Sequence, residues 1–450
     1  MRTSNTWPTR EFIVVRWVSS VALAILSLPQ RVSAAPLTLE EAIHSAWKNN
    51  AGIAASAAAL DASQADVDSA ADARLPSVVL SARAVATKEP VAAFGMKLDE
   101  QRIGASDFDP SRLNSPDLTG GIGLGATLMQ PLYMGGRLTA GKRAAQNQAA
   151  ADEQSHERRR QELAFGVVQA YFGVQVATER LGYAKDVLAQ AGATEDFTKA
   201  RNQQGMVLDA DVARATAFRA QAEAEEATAK QQLASAMAGL ALLTGNDVVG
   251  ADLTTLLTSE AAAGSASAIS PENRADLQSS RLRAEAAREM AKVAKGSLLP
   301  EVFAQASVET LRSELSQGAT WYTVGVMARW KLALADLPAS RAAERRAHAA
   351  DEAFRWQAQQ ASHEVGEARR MLDTSRSKLV SAEEAVAASQ SARRLRLERH
   401  RQGLLPLTDV LDAEAGLAGA RTLFLRSQFE ARVAAAQLQL ALGEPIEGVR

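Results

Sequence analysis

Two carboxylates near the end of the chain, Asp409 and Asp412, have the spacing of a working pair. Three residues apart on a helix, they share one face. Like charges held so close repel one another and favour bound cations. At the start of a helix they also suit its positive end, an interaction worth about 0.3–1 kcal/mol each. The position 198 residues before Asp412 is Arg214, a base where an acid would make the two places equivalent. The other chemistry-bearing residues carry less. His44, His156, His348, His363 and His400 show neither H-E-x-x-H nor any other metal-ligand spacing. His363-Glu364 reads as a surface pair on a polar helix. Cysteine is absent, which excludes disulfides, thiolate metal sites, a Cys nucleophile and a lipid-modified Cys. Asp99, Glu100, Asp107, Asp109 and Asp117 lack the spacing and the Gly of an EF-hand, and read as a solvated acidic loop. Gly120-Gly-x-Gly-x-Gly125 lies inside a strand pattern. It reads as close-packed wall rather than a phosphate loop. No catalytic group, metal or cofactor is expected.

The acids follow a stretch that occurs twice. Arg201-Asn-Gln-Gln204-Gly205-Met206-Val207-Leu208-Asp-Ala-Asp211-Val212 matches Arg399-His-Arg-Gln402-Gly403-Leu404-Leu405-Pro-Leu-Thr-Asp409-Val410 at a constant shift of 198 residues. The shift holds without a gap from Arg143/Arg341 to Gly245/Gly443. Self-similarity of this kind means one unit built twice. Each copy reads as the tip of a helix-turn-helix: a basic end, a glycine cap, then acids that open the next helix.

The flanking helices carry a heptad. Val167, Val174, Leu181 and Leu188 alternate with Ala170, Ala177, Ala184 and Ala191. Val365, Leu372, Leu379 and Val386 alternate with Ala368, Ser375, Ala382 and Ser389. Such a seam faces a neighbouring helix, and its small residues let backbones approach. From Arg137 to about Gln203 the helical pattern is free of proline. That is about 100 Å of helix, which needs lateral neighbours.

Four segments alternate with a period of two: Ser77–Ala86, Leu118–Leu128, Glu301–Glu309 and Trp321–Leu332. Each has one apolar face and about the length that a tilted strand needs to cross a bilayer. Leu75-Pro76 and Leu299-Pro300 end the helices before them. Tyr133, Trp321, Tyr322 and Trp330 sit near strand ends, as interfacial aromatics do. Lys88–Asp117 and Leu311–Thr320 read as a long and a short loop on one side. Four strands cannot close a barrel, and open edges in lipid leave backbone groups unsatisfied. Three copies give twelve strands, an even number within the known range.

Residues 1–34 read as an export signal, with Arg2, Arg10 and Arg16 before an apolar core and Val32-Ser33-Ala34 as cleavage site. The expected organisation is then a first repeat over 35–250, a linker over 251–270 and a second repeat over 271–450. With a net charge of −2 and 5% aromatics, the chain is no nucleic-acid binder. The fold class expected is a mixed α and β membrane protein. It has mostly long helices and four transmembrane strands per chain.

The order of these features resembles the outer-membrane efflux protein (TolC-like) family. The likeness is carried by Leu37-Thr-Leu-Glu-Glu-Ala-Ile43, Leu75-Pro76, Gln130-Pro-Leu-Tyr-Met-Gly-Gly-Arg137 and Gly403-x5-Asp409-Val-Leu-Asp412. It covers nearly all of the chain after the signal. Ala333–Ser340 departs from it, with Pro338 and no Gly pair. The resemblance implies a homotrimer in the outer membrane of a Gram-negative bacterium, its β-barrel continuing as a helical barrel through the periplasm. It implies two partners, a periplasmic adaptor and an inner-membrane pump of the RND or ABC type. The adaptor would meet the tips at Arg201, Gln204, Gly205, Met206, Val207 and Leu208, and at Arg399, Gln402, Gly403, Leu404 and Leu405. It also implies that Asp409 and Asp412 face the channel axis at a periplasmic gate, with Arg214 as a partner for an acid. Type I protein secretion is an alternative to small-molecule efflux. A soluble periplasmic coiled-coil scaffold is the alternative of another class.

Overall fold

The computed structural model describes residues 36–246, 251–257, 273–314, 317–331 and 333–446. The expected signal, residues 1–34, and residues 258–270 of the expected linker lie outside the described residues. A short strand β1 (Pro36–Leu37) leads into α1 (Leu39–Asn49). Thr38 and Glu41 form the capping box that their spacing predicts, each side chain bonding the other's backbone N–H, at 3.1 and 2.9 Å. The helical pattern runs on to about Arg74, yet Asn50 divides it. Its backbone is extended, and its side chain accepts from Gly52 N at 2.8 Å to cap α2 (Ala51–Asp72). After Leu75-Pro76 comes β2 (Ser77–Thr87).

The segment that reads as a long loop is folded. It holds α3 (Pro90–Asp99), a 3-10 turn (Ala105–Phe108) and α4 (Pro110–Asn114). These pieces are too short to show a helical period. β3 (Thr119–Met134) follows, longer than its alternating core and bulged between Pro131 and Tyr133. Then come α5 (Arg137–Gln203), α6 (Asp209–Thr244), β4 (Asp252–Leu253) and α7 (Ala275–Gly296). β5 (Glu301–Glu314) and β6 (Gln317–Arg329) pair far beyond Glu309 and Trp321, so most of Leu311–Thr320 is strand and not loop. α8 (Asp336–Arg401) and α9 (Leu407–Leu442) complete the chain. Pro338 lies in the first turn of α8, where proline is tolerated.

β2, β3, β5 and β6 form one antiparallel sheet in that order. The register sets Val78, Leu128, Ala306 and Val324 in one row, and Leu80, Ala126, Val308 and Tyr322 in the next. This face is apolar and bare: Leu80, Tyr322 and Val324 are each more than 70% exposed. The opposite face carries Ser81, Gly125 and Glu309 in one row and Arg83, Gly123 and Leu311 in another. Trp321 belongs to this second face, so it is not the interfacial aromatic that its position suggests; period two turns it away from Tyr322. β2 and β6 are the two edges of the sheet.

The helices pair as two long hairpins, α5 with α6 and α8 with α9, with α7 between α5 and α8. The heptad seam is buried at Val167, Val174, Ala177 and Ala191, and at Val365, Leu372 and Ala382. α6 answers with Ala215, Ala222 and Ala229, seven apart and all buried. The main core lies midway along, where Ile43, Val167, Val168, Tyr171, Phe172, Leu240 and Leu440 cluster. Tyr171 donates to Leu37 O at 2.7 Å and accepts from Thr255 N at 3.1 Å, which ties the β1–β4 pair to α5. Among the described residues no helix is long and apolar enough to cross a membrane.

Sheet and helices meet at Gly135-Gly136, both left-handed, with φ of 62° and 79°. A Cβ at Gly135 would lie 2.2 Å from Gly296 O, at the end of α7. Gly135→Ala should therefore lower the unfolding free energy in detergent by about 2 kcal/mol or more. Gly192→Ala, in open helical space, should be neutral or stabilise by about 0.5–1 kcal/mol. Equal denaturant midpoints for the two variants would contradict the close contact.

Candidate functional site

The two tips are built alike. Gly205 N bonds Asn202 O at 2.8 Å and Met206 N bonds Arg201 O at 3.0 Å. In the other hairpin Gly403 N bonds His400 O at 2.9 Å and Leu404 N bonds Arg399 O at 2.9 Å. Both are Schellman motifs, with the glycine left-handed one residue beyond the cap, at φ of 73° and 75°. The caps themselves are Gln204 and Gln402. Asn202 holds the first turn through Val207 O at 3.0 Å and Asp209 at 2.9 Å. His400 Nδ1 holds the second through Leu405 O at 2.8 Å. Met206, Leu208 and Leu404 are exposed, while Val207 and Leu405 are half-buried. Arg201 is half-buried over the Phe197 ring at 5.2 Å; Gln204, Arg399 and Gln402 are exposed.

The acids differ from one another. Asp409 is the third residue of α9 and half-buried, whereas Asp412 lies in the second turn and is exposed. The sequence reading that put both in the first turn fails for Asp412, because the helix begins at Leu407. Dipole stabilisation fades within the first turn, so it accounts for Asp409 alone. Among the described residues, neither acid has an ion-pair partner. Arg214 is exposed and pairs with neither within the chain.

Sequence reasoning missed the contacts that join the two hairpins. Arg393 on α8 donates to Glu414 on α9 at 2.5 Å and to Gln190 on α5 at 2.5 Å. Phe197 on α5 meets His400 on α8 edge to face, 6.5 Å between centroids. A cleft of about 290 Å³ remains between them, lined by Phe197, Arg393, Leu397, His400, Val410 and Glu414. The hairpins are thus clamped at points and not packed throughout. No local spacing announces a partner some two hundred residues away. Glu195 had such a signal: it is four residues before Lys199, a helix ion-pair spacing. The hydrogen bonds of Lys199 and then Thr216, with the charges of Lys199 and Arg219 nearby, hold its carboxyl below the usual range. That contribution is complete above the ordinary glutamate value and is lost as pH falls through the lowered one.

The acidic loop residues are placed as well. Asp107 accepts from Gly104 N and Lys97, and Asp109 caps α4 through Ser111 N. Glu100 is not solvated as its neighbours suggest, being 3% exposed beneath α3.

Four strands with a bare apolar face are thus joined to two helices, α5 and α8, each about 100 Å long. The model of the outer membrane efflux protein family matches residues 42–246 and 269–444. The chain belongs to that family. Solved channels share its fold. VceC from Vibrio cholerae superposes with a TM-score of 0.75 at 21% identity, over 90% of this chain and 96% of that one. CmeC from Campylobacter jejuni gives 0.78 at 18% identity, over 92% and 87%. The open state of MtrE from Neisseria gonorrhoeae gives 0.73 at 19%, over 92% and 89%. A search of curated protein sequences returns no match. Membership makes this an outer-membrane efflux protein.

In this efflux protein Arg393→Ala should release one hairpin from the other. The chain has no cysteine, so spin labels at Gln203→Cys and Arg401→Cys report the spacing of the tips cleanly. Their distance distribution should broaden and lengthen in the Arg393→Ala background. An unchanged distribution would remove Arg393 from the clamp.

Proposed function

We propose that the chain is one third of a trimeric conduit, a twelve-stranded β-barrel continued by a helical barrel in the periplasm. One observation carries this reading: a four-stranded sheet with an exposed apolar face and two unpaired edges. An apolar face suits lipid, and each edge in lipid needs a strand from another copy. A soluble scaffold would have no use for Leu80, Tyr322 and Val324 in water. The matched lengths of α5 and α8, 67 and 66 residues, and of α6 and α9, 36 each, support a duplicated unit over 35–250 and 271–450.

The tips dock a periplasmic adaptor. Met206, Leu208 and Leu404 are apolar side chains on a solvated turn, held out by motifs that need only the glycine. Adaptor contact gives them a use. An inner-membrane pump, of RND or ABC type, supplies the energy. Efflux of small molecules is the main reading, since the family is one of efflux proteins; type I protein secretion is the alternative within the channel class. Mass measurement in detergent should give a trimer, and a monomer under gentle extraction would refute the conduit. Gly205→Asp and Gly403→Asp together should abolish export while trimer and membrane insertion persist. Export at the normal rate in that variant would refute docking at the tips.

Asp409 and Asp412 form the gate. Threefold symmetry brings six carboxylates around a narrow mouth, where they concentrate cations. Arg214 pairs with an acid of a neighbouring copy in the closed state. Single-channel recordings should show block by multivalent cations from the periplasmic side, relieved in Asp409→Ala with Asp412→Ala. Block of the same strength in the double variant would leave helix-end stabilisation as the role of Asp409.

A further inference from the structure

α3 lies on the sheet face that carries Ser81, Arg83 and Glu309, the face turned away from the apolar one. Ala93, Met96 and Glu100 form its buried stripe. They meet β3 at Gly121, where a Cβ would come within 2.9 Å of Glu100 Oε1 and 3.3 Å of Leu311. Leu311 is itself 2% exposed. The helix is fixed at both sides of its end. Arg102 pairs with Glu100 at 2.5 Å and Lys97 with Asp107 at 2.9 Å. Gln101 is held left-handed at φ 57°, the one non-glycine so placed among the described residues. That conformation costs about 1–2 kcal/mol and persists where the surroundings enforce it.

The other side of α3 is apolar too. Val91, Phe94 and Leu98 follow the spacing of a helix–helix seam, and Phe108 stacks edge to face on Phe94 at 5.7 Å. Val91, Leu98 and Phe108 are more than half exposed in the single chain. α3 begins three residues after β2, the edge at which the next copy must pair. Twelve strands about 4.8 Å apart, tilted by about 40°, enclose a circle roughly 24 Å across. That circle runs through the backbones and wall side chains narrow it, so three helices, each about 10–12 Å across, are more than enough to block it at the rim.

We propose that the three copies of α3 meet through Val91, Phe94 and Leu98 and close the outer mouth of the barrel. The occupant of the exposed stripe is the same stripe of a second copy. This constriction is separate from the periplasmic one, and it rests on the trimeric reading above. Opening requires α3 to leave either its neighbours or the wall at Gly121. The buried stripe of Ala93, Met96 and Glu100 packs α3 on the wall, whereas Val91 and Leu98 are bare, so the seam between copies is the part that yields.

The test uses the full chain in outer membranes, with no native cysteine to interfere. Leu98→Cys should give a covalent dimer on a non-reducing gel after oxidation, and Ala93→Cys, facing the wall, should not. Thr323→Cys on the lumen face should label slowly from outside intact cells with a bulky, impermeant maleimide. Val91→Ser, Phe94→Ser and Leu98→Ser together should speed that labelling on the order of tenfold, as the open fraction rises. Replacing residues 90–114 with a Gly-Ser linker should do the same if the triple variant misfolds. Equal labelling rates with and without the stripe overturn the closure, whatever the gel shows. A trimer in which Leu98→Cys does not cross-link overturns the seam. Loss of the trimer in the unaltered chain is a failure of the conduit reading, visible in the mass alone, and takes this proposal with it.

Discussion

A backbone N–H or C=O without a partner costs several kcal/mol in hydrocarbon. The sheet of this protein has a row of such groups along β2 and another along β6. Everything above and below follows from where those rows go. In the proposed trimer, joining them to other copies closes the wall, and a closed wall sets the circle on which the long helices stand. Helices of this length have little core of their own. Their stability comes from lateral contact, and the sheet sets which neighbours they have. In that trimer the face with Ser81, Arg83 and Glu309 lines the lumen, since the middle rows of the opposite face are apolar.

Gly121, Gly123 and Gly125 of β3 lie on that polar face. They leave room for Glu100, Arg83 and Ser81 respectively. Polar side chains from the neighbouring strand and from α3 can lie flat against the wall there. A close-packed wall was one reading of the glycine run, and the packing is that of side chains over bare backbone. Arg83 reaches Glu309 across it at 3.6 Å.

Much of this was legible in the residues. Period two marked all four strands, because the middle of each has one apolar face. The seven-residue spacing marked the long hairpins, and Gly205 and Gly403 marked their turns to within one residue. Strand ends were less legible: β5 and β6 run on through Leu311, Arg312 and Ala319, where the alternation lapses but the ladder continues. α3 was missed because ten residues with Pro90 at the start and Gly95 inside look like a loop. Asn50 is less legible because the helical, alanine-rich pattern resumes directly after Asn49-Asn50-Ala-Gly52 and hides the break. The Arg393 clamp was invisible for another reason. Its partners belong to two other helices, and only tertiary structure brings them together. Nearness to a strand end suggests an interfacial place for Trp321, but parity sets it on the face of Glu309.

The alanines of α6 have a mechanical consequence. Ala215, Ala222 and Ala229 present a methyl group each to α5 at every second turn. Large knobs in deep holes must be unseated before helices can move past each other. Methyl groups make shallow contacts, each worth about 0.1–0.2 kcal/mol per atom pair, and slide without changing rotamer. Such a seam fixes the distance between two helices but scarcely resists shear along them. The hairpin is stiff against bending and compliant in slip, so its far end can travel while its middle, locked by Tyr171 and Phe172, stays still.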